Sequence, residues 1–324
     1  MYPLKFHPIV KDKIWGGHKL QQIFGKEPAG LPNIGESWEL SGYPTDASVV
    51  ANGYLAGKSL PELIEKYGEQ LVGKRVFERF GNTFPLLFKL IDANDDLSIQ
   101  VHPNDETARK RHNSFGKTEM WYVLHAEPEA SLIIGFTKKC TKKQYLEALE
   151  KGEVETLLQK VSVQAGDVFF IPAGLVHAIG RGVMVAEIQE SSDVTYRIYD
   201  YKRTDDKGNE RELHTAEALD VINFSASKNP KIPYKLSTNA DPQLLVSCEY
   251  FTTNILELDK PRRMQNVPDG TFVVYMCLEG RLEISGGTSN VQMGKGETVL
   301  IPAGMDVPTF IPEGKARLLE IYIR

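Results

Sequence analysis

One twelve-residue phrase limits what this chain can fold into more than any other. Gly166 to His177 reads GDVFFIPAGLVH, and 130 residues later Gly296 opens GETVLIPAGMDV. Both copies run Gly, five residues, Pro, one residue, Gly. Gly166-Asp167 marks a tight turn, because glycine accepts backbone angles that other residues avoid. Val168 to Ile171 is an apolar run with the length of a buried strand, too short for a helix. Pro172 ends the ladder, having no N–H to donate. Gly174 permits a second turn, and His177 emerges from it at the rim of a sheet. A repeat of this kind means that one supersecondary unit is used twice. The first copy ends in His177, and the second has Val307 at that place.

The remaining composition sets outer bounds. A chain of 324 residues has room for two domains, each with its own core. Its net charge of −5 and lack of a basic block argue against a nucleic-acid binder, while a local Arg/Lys cluster can still hold an anion. Cys140, Cys248 and Cys277 are far apart and odd in number, which favours a reducing compartment over a disulfide framework or a thiolate zinc site. The opening MYPLKFHPIV does not read as a signal peptide. No apolar run approaches the roughly 18 residues of a membrane helix. These features together point to the cytoplasm and away from a membrane, and they leave the oligomeric state open.

Patterning along the chain predicts mostly short strands. Ile14 to Gly17 and Gly35 to Leu40 put glycine beside tryptophan, as core packing or as an aromatic wall. Ser59 with Glu62 is a capping box, opening a helix through Leu60, Leu63, Ile64 and Tyr67. A second helical piece runs through Val76, Phe77 and Phe80. Phe84–Ile91 and Leu97–His102 are expected strands, with a polar turn over Asp92–Asp96. Pro103–Gly116 is a charged loop or short helix, and Thr118–Leu124 and Ser131–Phe136 are further strands. Thr141 opens a helix whose spacing extends to Leu157-Leu158, broken at Gly152. Met184–Tyr201 is a strand pair bent at Ser191-Ser192. Residues 203–218 are polar. Asn229–Pro242, with three prolines, is the expected link, dividing the chain into 1–229 and 230–324.

Alternation in strands then gathers the chemistry. Ser98, Gln100 and His102 share a face, as do Lys117, Glu119 and Trp121, and as do Asp193, Thr195 and Arg197. Gln100, His102, Glu119 and His177 are nitrogen and oxygen donors of the kind zinc accepts, and the set leaves room for water or substrate. Lys117 can hold an anion. Arg197 offers a planar, permanently charged fork suited to an enediolate or a phosphate.

The two IPAG phrases resemble the second signature of the cupin superfamily, which implies a mainly β fold of two cupin barrels, double-stranded β-helix or jelly-roll, with helical segments attached to the N-terminal one. SIQVHP at Ser98–Pro103, GKTEMWYVL at Gly116–Leu124, the phrase ending in His177, and Asp193 with Arg197 together resemble the type I mannose-6-phosphate isomerases. IWGG and GESWELS are similar to the short bacterial form, and the chain has no room for the large helical insertion of longer members. The resemblance implies one Zn2+ per chain, bound by Gln100, His102, Glu119 and His177 in a unit spanning 1–229. It implies a ligand-free cupin-like unit at 230–324. Arg197 is implied as catalytic, with Lys117 and Asp193 at further active-site positions. The substrate class is a small sugar phosphate, isomerised by proton transfer between C1 and C2 through an enediolate. A metal-bound hydroxide, a histidine or a carboxylate could each be the base. The donor set alone also fits an iron-dependent cupin oxygenase, and a non-catalytic sugar-phosphate-binding cupin is a third alternative.

Overall fold

The apolar runs become strands, most of them buried on both faces. The computed structural model describes residues 1–26, 31, 33–204, 208–237, 239–265 and 270–324. In chain order the strands begin with β1 (Leu4–Lys5), β2 (Ile9–Gly17), β3 (Ile34–Ser41), β4 (Leu86–Ala93), β5 (Ile99–Val101) and β6 (Glu119–Ala126). Next come β7 (Ser131–Phe136), β8 (Leu158–Ser162), β9 (Val168–Ile171), β10 (His177–Ile179), β11 (Val183–Glu190) and β12 (Tyr196–Tyr199). The C-terminal half adds β13 (Gln243–Ser247), β14 (Thr252–Leu258), β15 (Arg262–Arg263), β16 (Val273–Glu279) and β17 (Arg281–Ser285). It ends with β18 (Val291–Gly294), β19 (Thr298–Ile301), β20 (Thr309–Pro312) and β21 (Ala316–Tyr322).

These strands make two related pairs of sheets. The first pair is β2-β3-β4-β11-β6-β9 facing β12-β5-β10-β7-β8. The second is β1-β19-β16-β21-β14-β13 with β15-β20-β17-β18. β3, β4 and β11 are buried along their whole length. The duplication extends beyond the IPAG phrase into side-chain register. In the first unit Lys89, Glu187, Trp121 and Phe169 lie opposite one another across β4, β11, β6 and β9. In the second, Asn254, Glu320, Tyr275 and Val299 do the same across β14, β21, β16 and β19. In both rows a carboxylate accepts from an aromatic neighbour: Trp121 Nε1 to Glu187 at 2.8 Å and Tyr275 Oη to Glu320 at 2.9 Å. Glu119 pairs with Ile171, whereas Val273 pairs with Ile301, so Val273 stands where the first unit has Glu119.

The halves share one core. β1 pairs with β19, placing the first residues in the C-terminal sheet. Helices α1 (Leu60–Tyr67), α2 (Glu69–Val72) and α3 (Lys74–Phe80) pack between the units. Phe84 and Phe272, one from each half, meet with ring centroids 5.0 Å apart. Each such fully buried aromatic contributes about 1.5–3 kcal/mol. Ser59 does form the capping box with Glu62.

Several boundaries differ from the pattern-based expectation. The strand expected over 84–91 is shifted to β4, since Pro85 cannot donate to the ladder. Asp92, expected in a turn, is a buried strand residue whose Oδ2 accepts from the Lys19 N–H at 2.8 Å. The charged stretch after Pro103 contains a helix, Asp105–His112, capped by Asn104. The helix opened by Thr141 stops at Lys151, where Gly152 turns left-handed at φ 71°. Leu157 closes a short 3-10 turn and Leu158 starts β8. Asp193 and Thr195 fall in the connection before β12 rather than on a strand with Arg197. Residues 205–207 of the polar stretch and 238 of the proline-bearing link lie outside the described residues.

Candidate metal centre

Strand register brings the first residues together. On β5, Gln100 lies opposite His177 of β10 on one side and opposite Arg197 of β12 on the other. Directly opposed residues of an antiparallel sheet project to the same face. Gln100, His177 and Arg197 therefore project together, and His102 follows two residues after Gln100. Glu119 opens β6 in the facing sheet, opposite Gln189 and Ile171.

The side chains meet. His177 Nε2 is 3.1 Å from His102 Nε2 and 3.4 Å from the Gln100 amide. Glu119 places Oε1 3.4 Å from His177 Nε2 and Oε2 3.6 Å from His102 Nε2. A tetrahedral ion with bonds of about 2.0–2.1 Å holds its ligand atoms about 3.3 Å apart, so the spacing has the dimensions of a coordination shell. The second atoms of the rings agree. His177 Nδ1 is 2.8 Å from the Leu175 carbonyl and His102 Nδ1 is 3.1 Å from the Val194 carbonyl. A carbonyl only accepts, so each Nδ1 carries the proton and each neutral ring turns a bare Nε2 lone pair inward. Glu119 Oε1 is buried and accepts no hydrogen bond. Two lone pairs and a carboxylate packed this closely favour positive charge beside them, which the Lys117 ammonium supplies in part.

Electrostatics reinforce this. Burial, then the Lys117 and His177 charges, hold the His102 pKa well below its ordinary value. Burial lowers His177 to about 4. Both imidazoles are thus neutral donors at pH 7. Burial and the nearby Glu187 raise Glu119 to about 7, against the pull of Lys117. The Lys117 ammonium is 2.6 Å from Glu119 Oε2 and 3.0 Å from His102 Nε2. Lys117 lies two residues ahead of Glu119 and before β6 begins, and its side chain comes to the same side as Glu119.

Arg197 lies farther out. Its Nη1 donates to the Glu212 carbonyl at 2.8 Å, and its Nε is buried without a partner. Burial and the neighbouring Arg211 lower its pKa. Arg203 and Arg211 both pair with Asp200 at 2.5 Å, so three guanidiniums gather at this edge. Asp193 makes no contact with the ligand cluster; it is exposed, and its charge reaches Tyr43 and Lys89.

The sequence reading passed over a buried charge cluster beside these ligands. Lys89 lies 3.4 Å from Glu187 and 4.0 Å from Glu36, all three nearly excluded from solvent. Trp38 Nε1 donates to Glu36 at 2.7 Å. Burial would raise Glu36, but Lys89 and Lys13 outweigh it and bring its pKa to about 2. A signal was present. A lysine inside the apolar run FPLLFKLI must be paired if that strand is buried, and Glu187 and Gln189 alternate within an otherwise apolar strand.

Comparison with known proteins gives a consistent picture. Residues 3–145 match the phosphomannose isomerase type I catalytic domain, and residues 242–323 match the mannose-6-phosphate isomerase cupin domain. A mannose-6-phosphate isomerase of Streptococcus mutans is 36% identical over 306 residues, covering 93% of this chain and 92% of the relative. A probable mannose-6-phosphate isomerase of Bacillus subtilis, GmuF, is 39% identical over 307 residues, covering 93% and 94%. The crystal structure of the mannose 6-phosphate isomerase from Bacillus subtilis superposes with a TM-score of 0.88 at 32% identity, over the full length of both chains.

Proposed function

The chain belongs to the type I phosphomannose isomerase family, and from that premise we propose how its residues carry out the reaction. The activity is the interconversion of mannose 6-phosphate and fructose 6-phosphate. Gln100, His102, Glu119 and His177 would hold one Zn2+ per chain. Gln100 would contribute its amide oxygen, which a flip exchanges with the Nε2 that faces His177. The observation that carries this proposal is the 3.1–3.6 Å spacing of the His102, Glu119 and His177 ligand atoms. When bound, such an ion supplies Lewis acidity to a substrate oxygen without redox chemistry.

The chain's own groups do the rest. Isomerisation moves a proton between C1 and C2, and negative charge develops on O1 or O2. Lys117, beside Glu119 and His102, donates to that oxygen. Glu187 turns Oε1 toward the Lys89 ammonium at 3.4 Å and accepts from Trp121 Nε1 on Oε2 at 2.8 Å. Burial alone would raise its pKa, but Lys117 and Lys89 keep it below the ordinary value and therefore charged. This carboxylate is the proposed carrier of the C1–C2 proton. Arg197 presents its fork to the anionic end of the substrate, with Arg203 and Arg211 adding positive potential. Asp193, exposed in the connection before β12, is assigned to orienting the sugar. The division into a metal-binding unit, 1–229, and a ligand-free unit, 230–324, belongs to this proposal, and so does a cytoplasmic location. Among the described residues no helix is long and apolar enough to cross a membrane.

A coupled assay on mannose 6-phosphate, run with and without chelator, tests the proposal. Turnover abolished by chelation and restored by Zn2+ is expected; turnover untouched by complete metal removal would overturn the ligand assignment.

A further inference from the structure

Arg197 sits on β12, the edge strand of its sheet, with Gln100 of β5 as its inner neighbour. An edge strand leaves backbone groups open on its outer side, and here a returning segment of the chain takes them. After β12 the backbone turns through Tyr201 and Lys202, left-handed at φ 55° and 54°, angles rare for residues with side chains. Thr204 then bridges back to Glu210. Residues 211–214 follow and hold Arg197 by backbone and side chain alike. The Arg197 N–H donates to His214 Nδ1 at 3.1 Å, and the Arg197 carbonyl accepts from the His214 N–H at 2.8 Å. The guanidinium Nη1 donates to the Glu212 carbonyl at 2.8 Å. His214 immediately precedes the helix Thr215–Val221, where a side chain often caps the helix; its ring makes no such bond and turns to Arg197 instead. The start of the segment is latched. Arg211 closes its fork on the buried Asp200, Nε to Oδ2 at 2.6 Å and Nη2 to Oδ1 at 2.5 Å. Burial would raise the Asp200 pKa, but Arg211 and Arg203 outweigh it and lower it, so the carboxylate stays charged.

We propose that Arg211–His214 is a strap that positions Arg197 for the substrate anion, with the Arg211–Asp200 pair as its latch. Arg211, Asp200 and His214 act through Arg197 and are positioning residues. The strap decides which edge of the guanidinium meets the anion. Nη1 is held by the Glu212 carbonyl, while Nε is buried and has no partner among the described residues. A buried N–H without an acceptor is costly, and a substrate oxyanion arriving on the Nε edge supplies one. With the latch open, the backbone of Arg197 loses its outer support and the guanidinium tilts away from that approach.

The inference rests on the role given to Arg197 above, and a double-mutant cycle on kcat separates the two. Arg211→Lys keeps the positive charge but cannot close a two-point fork on Asp200. It should lose about tenfold in kcat with the metal retained, short of the roughly 100-fold that a misplacement of about 1 Å costs. In the Arg197→Ala background the same change should alter kcat by less than about twofold, because the group it positions is gone. If Arg211→Lys does not fold, His214→Leu goes through the same cycle. It removes the acceptor for the Arg197 N–H and should show the same non-additivity. Wild-type protein without turnover would strike the proposed function, and Arg197→Ala at full rate would strike the role of Arg197 and the strap with it. With both as expected, Arg211→Lys at the wild-type rate would show that charge alone suffices and would overturn the inference. So would losses that add in either double variant, since a part that only supports the fold costs the same whether or not Arg197 is present.

Discussion

Removing Lys89 gives a direct measure of how the buried charge cluster beside the ligands is held. Its ammonium lies 3.4 Å from Glu187 and 4.0 Å from Glu36, and only 4% of its side chain is exposed. Lys89→Met keeps the volume and the apolar stem but leaves two buried carboxylates short of their counter-charge. Breaking one partner from such a buried pair costs about 3–5 kcal/mol, which lowers Tm by roughly 10 °C. The pH dependence has a defined sign. Glu36 is held down at about 2 and Glu187 also below its ordinary value, so both contribute stability above the unfolded carboxylate pKa. That contribution fades as the pH falls through the folded values. Without Lys89 it is missing, so the deficit should be full above about 4.5 and should shrink as the pH falls from there towards about 2. The assay is thermal unfolding of Lys89→Met, Glu187→Gln and the double variant from about pH 2 to about pH 8. The double variant should be more stable than the sum of the singles by about 2 kcal/mol. Additive losses, or a deficit independent of pH, would refute the buried-pair account.

Other outcomes follow from the same geometry. His177→Ala should lose at least about 100-fold in metal affinity, beyond the usual cost of an outer partner, and activity with it; dialysis and metal analysis read this directly. Arg197→Ala should retain the metal and lose about 100-fold in kcat, the scale of one charge-stabilising donor, as steady-state kinetics would report. Val307→His alone should create no second ion site, because Val273 occupies the place of Glu119 in that barrel; a second equivalent of bound metal in this variant would contradict the register argument.

Much of this was legible in the residues because strands have a strict period. The spacing from Gly166 to His177 forecast a strand, a turn and a ring at a sheet rim, and β9 and β10 are arranged that way. Alternation correctly set Lys117 beside Glu119. The repeat forecast two related units, and the matched rows of Lys89–Glu187–Trp121 and Asn254–Glu320–Tyr275 extend it. What escaped depends on tertiary pairing. Whether Lys89 is buried cannot be told from a lone lysine until β4 is known to lie between β3 and β11. The position of Asp193 in a connection depends on where β12 finds its partner β5. The crossing of Leu4 and Lys5 into the C-terminal sheet joins residues almost 300 positions apart, and no local pattern encodes it.

Three converging ligand atoms, with the Gln100 amide beside them, stand at the centre of the proposed chemistry, and metal-to-protein stoichiometry measured in parallel with mannose 6-phosphate turnover is the sharpest test of the ion proposed among them. One divalent ion per chain is expected, with activity falling in proportion as the ion is withdrawn and returning as it is replaced. Undiminished turnover by protein stripped of metal would contradict the ligand assignment and the mechanism together.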